Sequence, residues 1–332
     1  MFVTVAICTF NRAESLRRTL DSLVAVQVLN DLAWEVVIVN NNSSDCTDDV
    51  IGEYIGCLPV RREFETRPGK SNALNRAIDV AKGDYIIWID DDVIVDAGWL
   101  TAYIEAFRYW PDAAVFGGRI KPRYEAPVER WIIESEAVLG GVYAIRDFGD
   151  QVYPLSAEDE DHYPYGGNWA IRATEQRIFR YNPELGPVAN RYRTHEEYDV
   201  IQRVLGSGAI GYWIPEAMVE HFIGRERQTT CYIAIYYENW GETWAFLNAA
   251  ETVAAPFLFG IPRRIWPRLL VWWVLYRFCR FAFPTPVWLN YLAHYAMNKG
   301  AFRYWHTRNL HRKTESSSPA HEAVRRSPNR GW

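Results

Sequence analysis

Acidic residues are missing from a long part of this chain. Between Thr252 and Thr314 there is no Asp or Glu, although the whole chain carries a net charge of −5 at pH 7. The same stretch holds ten Lys and Arg residues, from Arg263 to Lys313, so the remainder is strongly acidic. One chain therefore joins an acidic body to a basic, aromatic C-terminal segment. Cysteine is also sparse in useful spacing. Cys8, Cys46, Cys57, Cys231 and Cys279 make no CxxC and no Cys/His ligand pattern. A structural zinc and a disulfide framework are not expected, and a reducing compartment is. The opening run Phe2–Cys8 lacks a charged n-region or small-residue cleavage site, so no secretory signal is expected. No GxGxxG follows that first strand, which argues against a dinucleotide enzyme. No internal repeat is present.

What is present suits a large packed body. Hydrophobic residues make up 49% and aromatics 15%, enough for one large domain with an appendage or for two domains. The first half alternates short apolar runs with amphipathic stretches: strands at 2–8, 35–39, 59–64 and 85–89, helices at 14–26, 47–55 and 71–81. That alternation predicts βαβ units and a mostly parallel sheet flanked by helices. Further on, 113–120 reads as a strand and 121–164 as a partly ordered loop over the site. Residues 166–172 read as a turn entering a strand, and 196–205 as a helix. Two short strands follow at 210–214 and 217–222, then a helix at 232–249.

Polar residues gather at the carboxyl ends of the expected strands, where open α/β sheets bind ligands. Thr9, Asn11 and Arg12 end the first strand, and the run Asn40–Asp45 ends the second. A nucleotide in that crevice is within reach of these side chains. An ordinary turn with a helix N-cap is the alternative for 40–45, since Asn, Ser and Asp favour both. Arg67 and Lys70 flank Gly69 at a helix start, where free N–H groups favour a diphosphate; solvated basic residues are the alternative. Asp90, Asp91 and Asp92 directly follow the buried run Tyr85–Ile89. Three adjacent carboxylates repel one another and call for a cation, and hard oxygen ligands suit Mg2+ or Mn2+ shared with substrate phosphates. A solvated acidic turn is the alternative. Gly166 and Gly167 permit close backbone approach to a ligand. Glu196 and Glu197 open a helix, where acids are favourable in any case.

In this order, these patterns resemble glycosyltransferase family 2, the inverting enzymes of GT-A fold, over roughly residues 1–245. The resemblance implies an α/β, Rossmann-like GT-A fold with a C-terminal helical, aromatic and basic extension. It implies a nucleotide-diphospho-sugar donor, a UDP-sugar favoured, bound by Thr9, Asn11, Arg12, Asn40, Asp45, Arg67, Lys70, Asp90 and Asp91. Asp92 and His221 are implied as ligands of Mn2+ or Mg2+. Glu197 is the implied base, with Glu196 as fallback, and Gly167, Asn168 and Trp169 lie near sugar and acceptor. Arg227 is implied on a loop closing over the diphosphate. The chain departs from the family at Asn40 and Glu197, where Asp is usual. A nucleotidyltransferase and a non-catalytic sugar-nucleotide-binding subunit are the rival readings.

The apolar stretch Ile265–Phe283 is interrupted by Arg268, Arg277 and Arg280, so its longest uncharged piece, Leu269–Tyr276, is far short of the roughly 20 residues of a span. Helices lying on an anionic membrane surface fit these facts. Packing on the catalytic domain or a dimer interface is the alternative. The expected organisation is a catalytic domain at 1–230, a helical segment at 231–312 and a disordered tail at 313–332. The acceptor is expected to be a glycan or lipid-linked, at the cytoplasmic face of a membrane. No nucleic-acid partner is expected.

Overall fold

The first strands are β-branched on both faces, and both faces are covered. β1 (Phe2–Thr9) and β2 (Ala33–Asn40) are buried almost throughout, as central parallel strands under helices are. The computed structural model describes residues 1–29, 32–188, 191–252 and 254–316. Its contacts divide the chain into two units. The first comprises Met1–Arg130 and Glu136–Gln228; the second comprises Trp131–Ser135 and the chain from Thr229 onward. The expected tail lies, from residue 317 on, outside the described residues.

In the first unit, β3 (Val60–Phe64), β2, β1 and β4 (Tyr85–Ile89) are neighbours in that order and all parallel. Helices α1 (Ala13–Val24) and α2 (Thr47–Glu53) cover one face, burying Leu16, Leu20 and Ile51. Helix α3 (Lys70–Val80) covers the other with Ala73, Leu74, Ala77 and Ile78. Past β4 come β5 (Val93–Val95), α4 (Trp99–Tyr109) and β6 (Ala113–Tyr124). Then follow α5 (Arg130–Glu134), nearly all of it in the second unit, and, back in the first, α6 (Glu136–Leu139), β7 (Tyr153–Leu155), β8 (Asn168–Arg172) and α7 (Ala173–Ile178). The unit closes with a small ladder of β9 (Pro187–Val188) and β10 (Arg191–Tyr192), α8 (Glu196–Gly206) and β11 (Ile210–Ile223). β8 enters the sheet antiparallel between β4 and β6, and β11 runs parallel to β6. Paired residues are parallel in the majority.

Three expectations change. The two short strands after α8 are one strand, β11, whose register shifts between Ile214 and Met218. Pro215 lies in that interval; it removes a ladder donor and imitates a break in the pattern. The stretch 121–164 is not loop throughout, because β6 continues to Tyr124 and α6 and β7 follow. α4 and β5 were not anticipated.

The second unit is helical: α9 (Thr230–Leu247), α10 (Ala249–Thr252), a hairpin of β12 (Phe257–Leu258) and β13 (Ile261–Pro262), α11 (Ile265–Ala282) and α12 (Thr285–Ser316). α9 and α12 meet backbone to backbone at two glycines. A Cβ on Gly241 would fall 1.9 Å from the Met297 carbonyl oxygen, and one on Gly300 1.7 Å from that of Glu238. Glu238 and Glu242 then pair with Lys299 and Arg303 across the helices. α11 packs on α12 through Trp272, stacked on Tyr291 and His294, and through Tyr276 against Trp288. Among the described residues no helix is long and apolar enough to cross a membrane.

Candidate active site

The parallel register sets the site. Ile7 of β1 pairs with Ile89 of β4, so the chain leaving β1 at Thr9 and the chain leaving β4 at Asp90 emerge side by side. The Thr9 hydroxyl donates to Asp91 Oδ2 at 2.7 Å. Arg12 Nη1 donates to Asp91 Oδ1 at 2.6 Å and to Asp92 Oδ2 at 3.0 Å. Arg227 Nη2 reaches the same Asp92 oxygen at 2.8 Å, and His221 Nε2 lies 3.3 Å from it. β5 and β6 flank β11 and bring His221 here: it pairs with Val93, one residue past Asp92.

Burial opposes ionisation of both acids. At Asp92 the neighbouring His221, Arg12 and Arg227 outweigh it, and the carboxyl sits well below its usual range. At Asp91 burial dominates and the charge of Asp92 adds to it, so its pKa rises despite Arg12. Burial also lowers the His221 imidazole, but Asp92 more than offsets this and the net shift is upward. His221 Nδ1 lies 2.5 Å from the Tyr143 carbonyl oxygen, a contact only an Nδ1–H donor can make. In the neutral ring this leaves the Nε2 lone pair facing Asp92 and Arg227.

A second acid group lies on the other side of Asp90. Lys70, the first residue of α3, places Nζ 2.8 Å from Asp90 Oδ1 and 3.2 Å from Glu196 Oε1. Desolvation would lower the pKa of this lysine; Asp90, Glu196 and Glu197 together raise it well above the ordinary value. Glu196 is raised, first by burial and then by Glu197, against the pull of Lys70. Both glutamates come from the first turn of α8, which starts after His195 in the left-handed region at φ +73°. Glu197 Oε1 accepts from the Gly166 N–H at 3.1 Å. Asp90, Lys70, Glu196, Glu197 and Gly166 line one small cavity floored by Cys8, Trp88 and Trp169. Burial pushes the Cys8 thiol up, so it stays protonated there.

The structure thus gathers Thr9, Arg12, Lys70, Asp90, Asp91, Asp92, Glu196, Glu197 and His221. The Cβ position of Gly167 lies 3.5 Å from Asp90 Oδ2, beside them. Other candidates go elsewhere. Asn168 is fully buried and accepts from Trp99 Nε1 and Tyr103 OH while donating to the Arg119 and Ala217 carbonyls. Every hydrogen-bonding position of that amide is used, so it holds the sheet together and does not contact an acceptor. Trp169 is fully buried opposite Trp88 and meets the site only from beneath, as part of the cavity floor. Asn40 is buried, and its Oδ1 accepts from the Ser43 N–H in a tight turn. Asp45 accepts from the N–H groups of Ala13 and Thr47, serving the starts of α1 and α2. Asn11 accepts from Ser44 N–H, tying the two loops together. Arg67 is exposed and held by Glu65. Sequence reasoning missed Asn41, which bonds the Glu65 and Arg67 carbonyls and the Gly69 N–H and so shapes the approach to Lys70. It also missed the Tyr143 carbonyl that orients His221. Asn41 was visible as the centre of an Asn triplet; nothing near Tyr143 in sequence signals its role.

Among the described residues there is no group of three or more His, Cys, Asp or Glu able to hold a metal ion. A divalent cation still fits a smaller protein donor set. Asp92 Oδ2 and His221 Nε2 converge, and His221 donates its other ring N–H to a backbone carbonyl, as metal-binding histidines commonly do. Carboxylate and imidazole donors suit Mn2+, and such ions complete their shells with phosphate oxygens and water. Arg12 and Arg227 hold the acid in the arrangement seen here.

Known proteins resemble this chain in sequence and in fold. The family model described as Glycosyl transferase family 2 matches residues 4–176, just over half of the chain. Succinoglycan biosynthesis protein ExoM of Rhizobium meliloti (strain 1021) is 28% identical over 255 residues, covering 76% of each chain. A poly-beta-1,6-N-acetyl-D-glucosamine synthase of Staphylococcus epidermidis is 26% identical over 157 residues, 46% of this chain; the match spans only 37% of that relative. Among solved structures, the mannosyltransferase PcManGT from Pyrobaculum calidifontis, in complex with GDP-Man and Mn2+, aligns with a TM-score of 0.53 at 15% identity, covering 97% of this chain and 78% of that one. S. aureus TarS 1-349 in complex with UDP-GlcNAc aligns at 0.51 and 15% identity, covering 95% and 92%. At such identities the likeness is one of fold, the GT-A fold.

Proposed function

The chain belongs to glycosyl transferase family 2, and we propose that it moves a hexosyl group from a nucleotide-diphospho-sugar to a glycan or lipid-linked acceptor with inversion at the anomeric carbon. A UDP-sugar is the favoured donor. The observation that carries this reading is the shared cavity, where Asp90 on the donor side faces Glu196 and Glu197 across Lys70. In a single displacement the acceptor oxygen attacks the anomeric carbon. The bond from that carbon to the diphosphate oxygen breaks, and its electron pair leaves with the nucleoside diphosphate.

Glu197 takes the acceptor proton. It is half-buried, is aimed by the Gly166 N–H, and stands on the rigid first turn of α8. Lys70 offsets part of the charge of Asp90 and Glu196, so Glu197 works beside a partly compensated pair and not a bare acidic cluster. Arg12 and Arg227 supply positive charge where the diphosphate leaves. Asp92 and His221 would hold Mn2+ or Mg2+, which when bound offsets the charge on the departing diphosphate. Thr9 donates to Asp91 and fixes it beside Arg12.

The acceptor is proposed to lie near the cytoplasmic face of a membrane, with the enzyme peripheral to it. The domain assignment proposed is a catalytic body to residue 230 and a helical segment beyond.

A panel of nucleotide sugars with Mn2+, scored by nucleoside diphosphate release, tests the reading. At least one donor is expected to turn over with an added glycan acceptor. Glu197→Gln is expected to retain donor affinity and to lose about 10²–10⁴-fold in transfer. Asp92→Ala is expected to abolish the Mn2+ dependence of donor binding in calorimetry. Release of pyrophosphate, or full activity of Glu197→Gln, overturns it.

A further inference from the structure

Helix α11 is apolar and aromatic apart from Arg268, Arg277 and Arg280, and only one of its residues, Ile265, is buried. Its inner side rests on α12 through Trp272 and Tyr276. Its outer side exposes Leu270, Trp273, Phe278 and Phe281, the last at 81%. A surface helix ordinarily turns mostly polar residues outward; one that turns large apolar side chains outward has an apolar environment to meet.

The neighbouring hairpin repeats the pattern. Phe259 and Gly260 form the two-residue connection between β12 and β13, with φ of +52° and +79°. Such connections favour Asn-Gly, because a side chain at positive φ is strained, most of all a bulky one. Here a phenylalanine occupies the strained position and is 79% exposed. Strain and exposure both oppose folding, so neither is explained by the stability of the hairpin. The ring touches Trp266 of α11 edge-on, making hairpin tip and helix one continuous patch.

Charge identifies the occupant. Lys299 and Arg303 of α12 are paired with glutamates of α9. Among the described residues, Arg268, Arg277 and Arg280 of α11 form no ion pair with an acid, and the sequence offers none from 253 to 313. Arg277 lies over the Phe281 ring, and Arg280 bonds the Tyr276 hydroxyl. An aromatic ridge with unpaired guanidinium groups along it matches the boundary between acyl chains and anionic headgroups.

We propose that this face of the helical unit, the Phe259 tip with the outer side of α11, inserts into the surface of an anionic lipid bilayer. The proposal deepens and rests on the peripheral attachment put forward above. It names the inserting residues and assigns Phe259 as the leading one.

Flotation of the full chain with phosphatidylcholine vesicles, with and without phosphatidylglycerol, tests it. Binding to the phosphatidylglycerol vesicles is expected, weakening as salt rises. The double variant Phe259→Ser/Phe281→Ser is expected to bind at least about tenfold more weakly. Arg277→Gln and Arg280→Gln are each expected to bind about fivefold more weakly. Tyr109→Ser, an equally exposed aromatic of the other unit, is expected to float like the wild type, and circular dichroism checks that every variant is folded. Absence of flotation, or variants indistinguishable from wild type, overturns the proposal. So does self-association in sedimentation that the double phenylalanine variant abolishes, which would assign the face to a second copy. Vesicle binding is read without donor. A chain that floats but turns over no donor overturns only the transfer reading, and one that turns over donor but does not float overturns only this one.

Discussion

The Asn168 side chain makes four hydrogen bonds, all to groups inside the first unit. Gly118 exists to admit it: a Cβ there would lie 2.3 Å from Asn168 Nδ2. Asn168→Ala strands an indole N–H, a phenol and two carbonyls, each costing about 1–3 kcal/mol when buried and unpaired. A loss of roughly 3–5 kcal/mol is expected in urea unfolding, with an unchanged denaturant slope. The aspartates were legible because they directly follow an uninterrupted apolar run, and a strand end has a fixed place in a parallel sheet. The hydrogen bonds that Asn168, Asn40 and Asp45 make within the unit are not legible in the sequence, for one reason. A short polar side chain after a strand suits a ligand and a buried turn equally well, and only the tertiary neighbours decide between them. His221 was legible by its order in the motif set, whereas the carbonyl that orients it comes from 78 residues away.

At the level of elements, α9 and α12 cross so closely that two positions admit only glycine. Helix propensity alone would make Gly241→Ala stabilising by about 1 kcal/mol. The Met297 carbonyl in the way reverses the sign, and a loss of about 1–3 kcal/mol is expected in thermal unfolding. The elements read best from sequence were those with a single period. β1, α1, β2, α3 and β4 sit within a few residues of their expected limits. α4 escaped notice because Trp99, Leu100, Tyr103, Ile104 and Phe107 make a broad aromatic face in a region that shows no clear helix start. β11 was divided in two by a proline that a register shift absorbs.

For the whole molecule, two units each have a core of their own: Val5, Ile38 and Ile87 among others in the first, Ala245, Ile261 and Trp305 in the second. Chains so divided commonly depart from two-state unfolding. Calorimetry is expected to resolve two transitions, with Asn168→Ala lowering one and Gly241→Ala the other. A single transition shifted alike by both variants would count against independent units. The segregation of charge, an acidic body and an acid-free segment, is plain from the residue order alone. Which arginines have acidic partners is not, because pairing depends on how the helices pack and not on their order along the chain.

Lys70 carries one more implication. On the proposed roles, a single ammonium steadies a carboxylate that serves the donor and another that stands beside the acceptor's base. The two halves of the reaction therefore share a hinge pin. A lineage that reshapes position 196 for a new acceptor also disturbs how the donor is gripped, so acceptor and donor preferences in such an enzyme are free to drift only together.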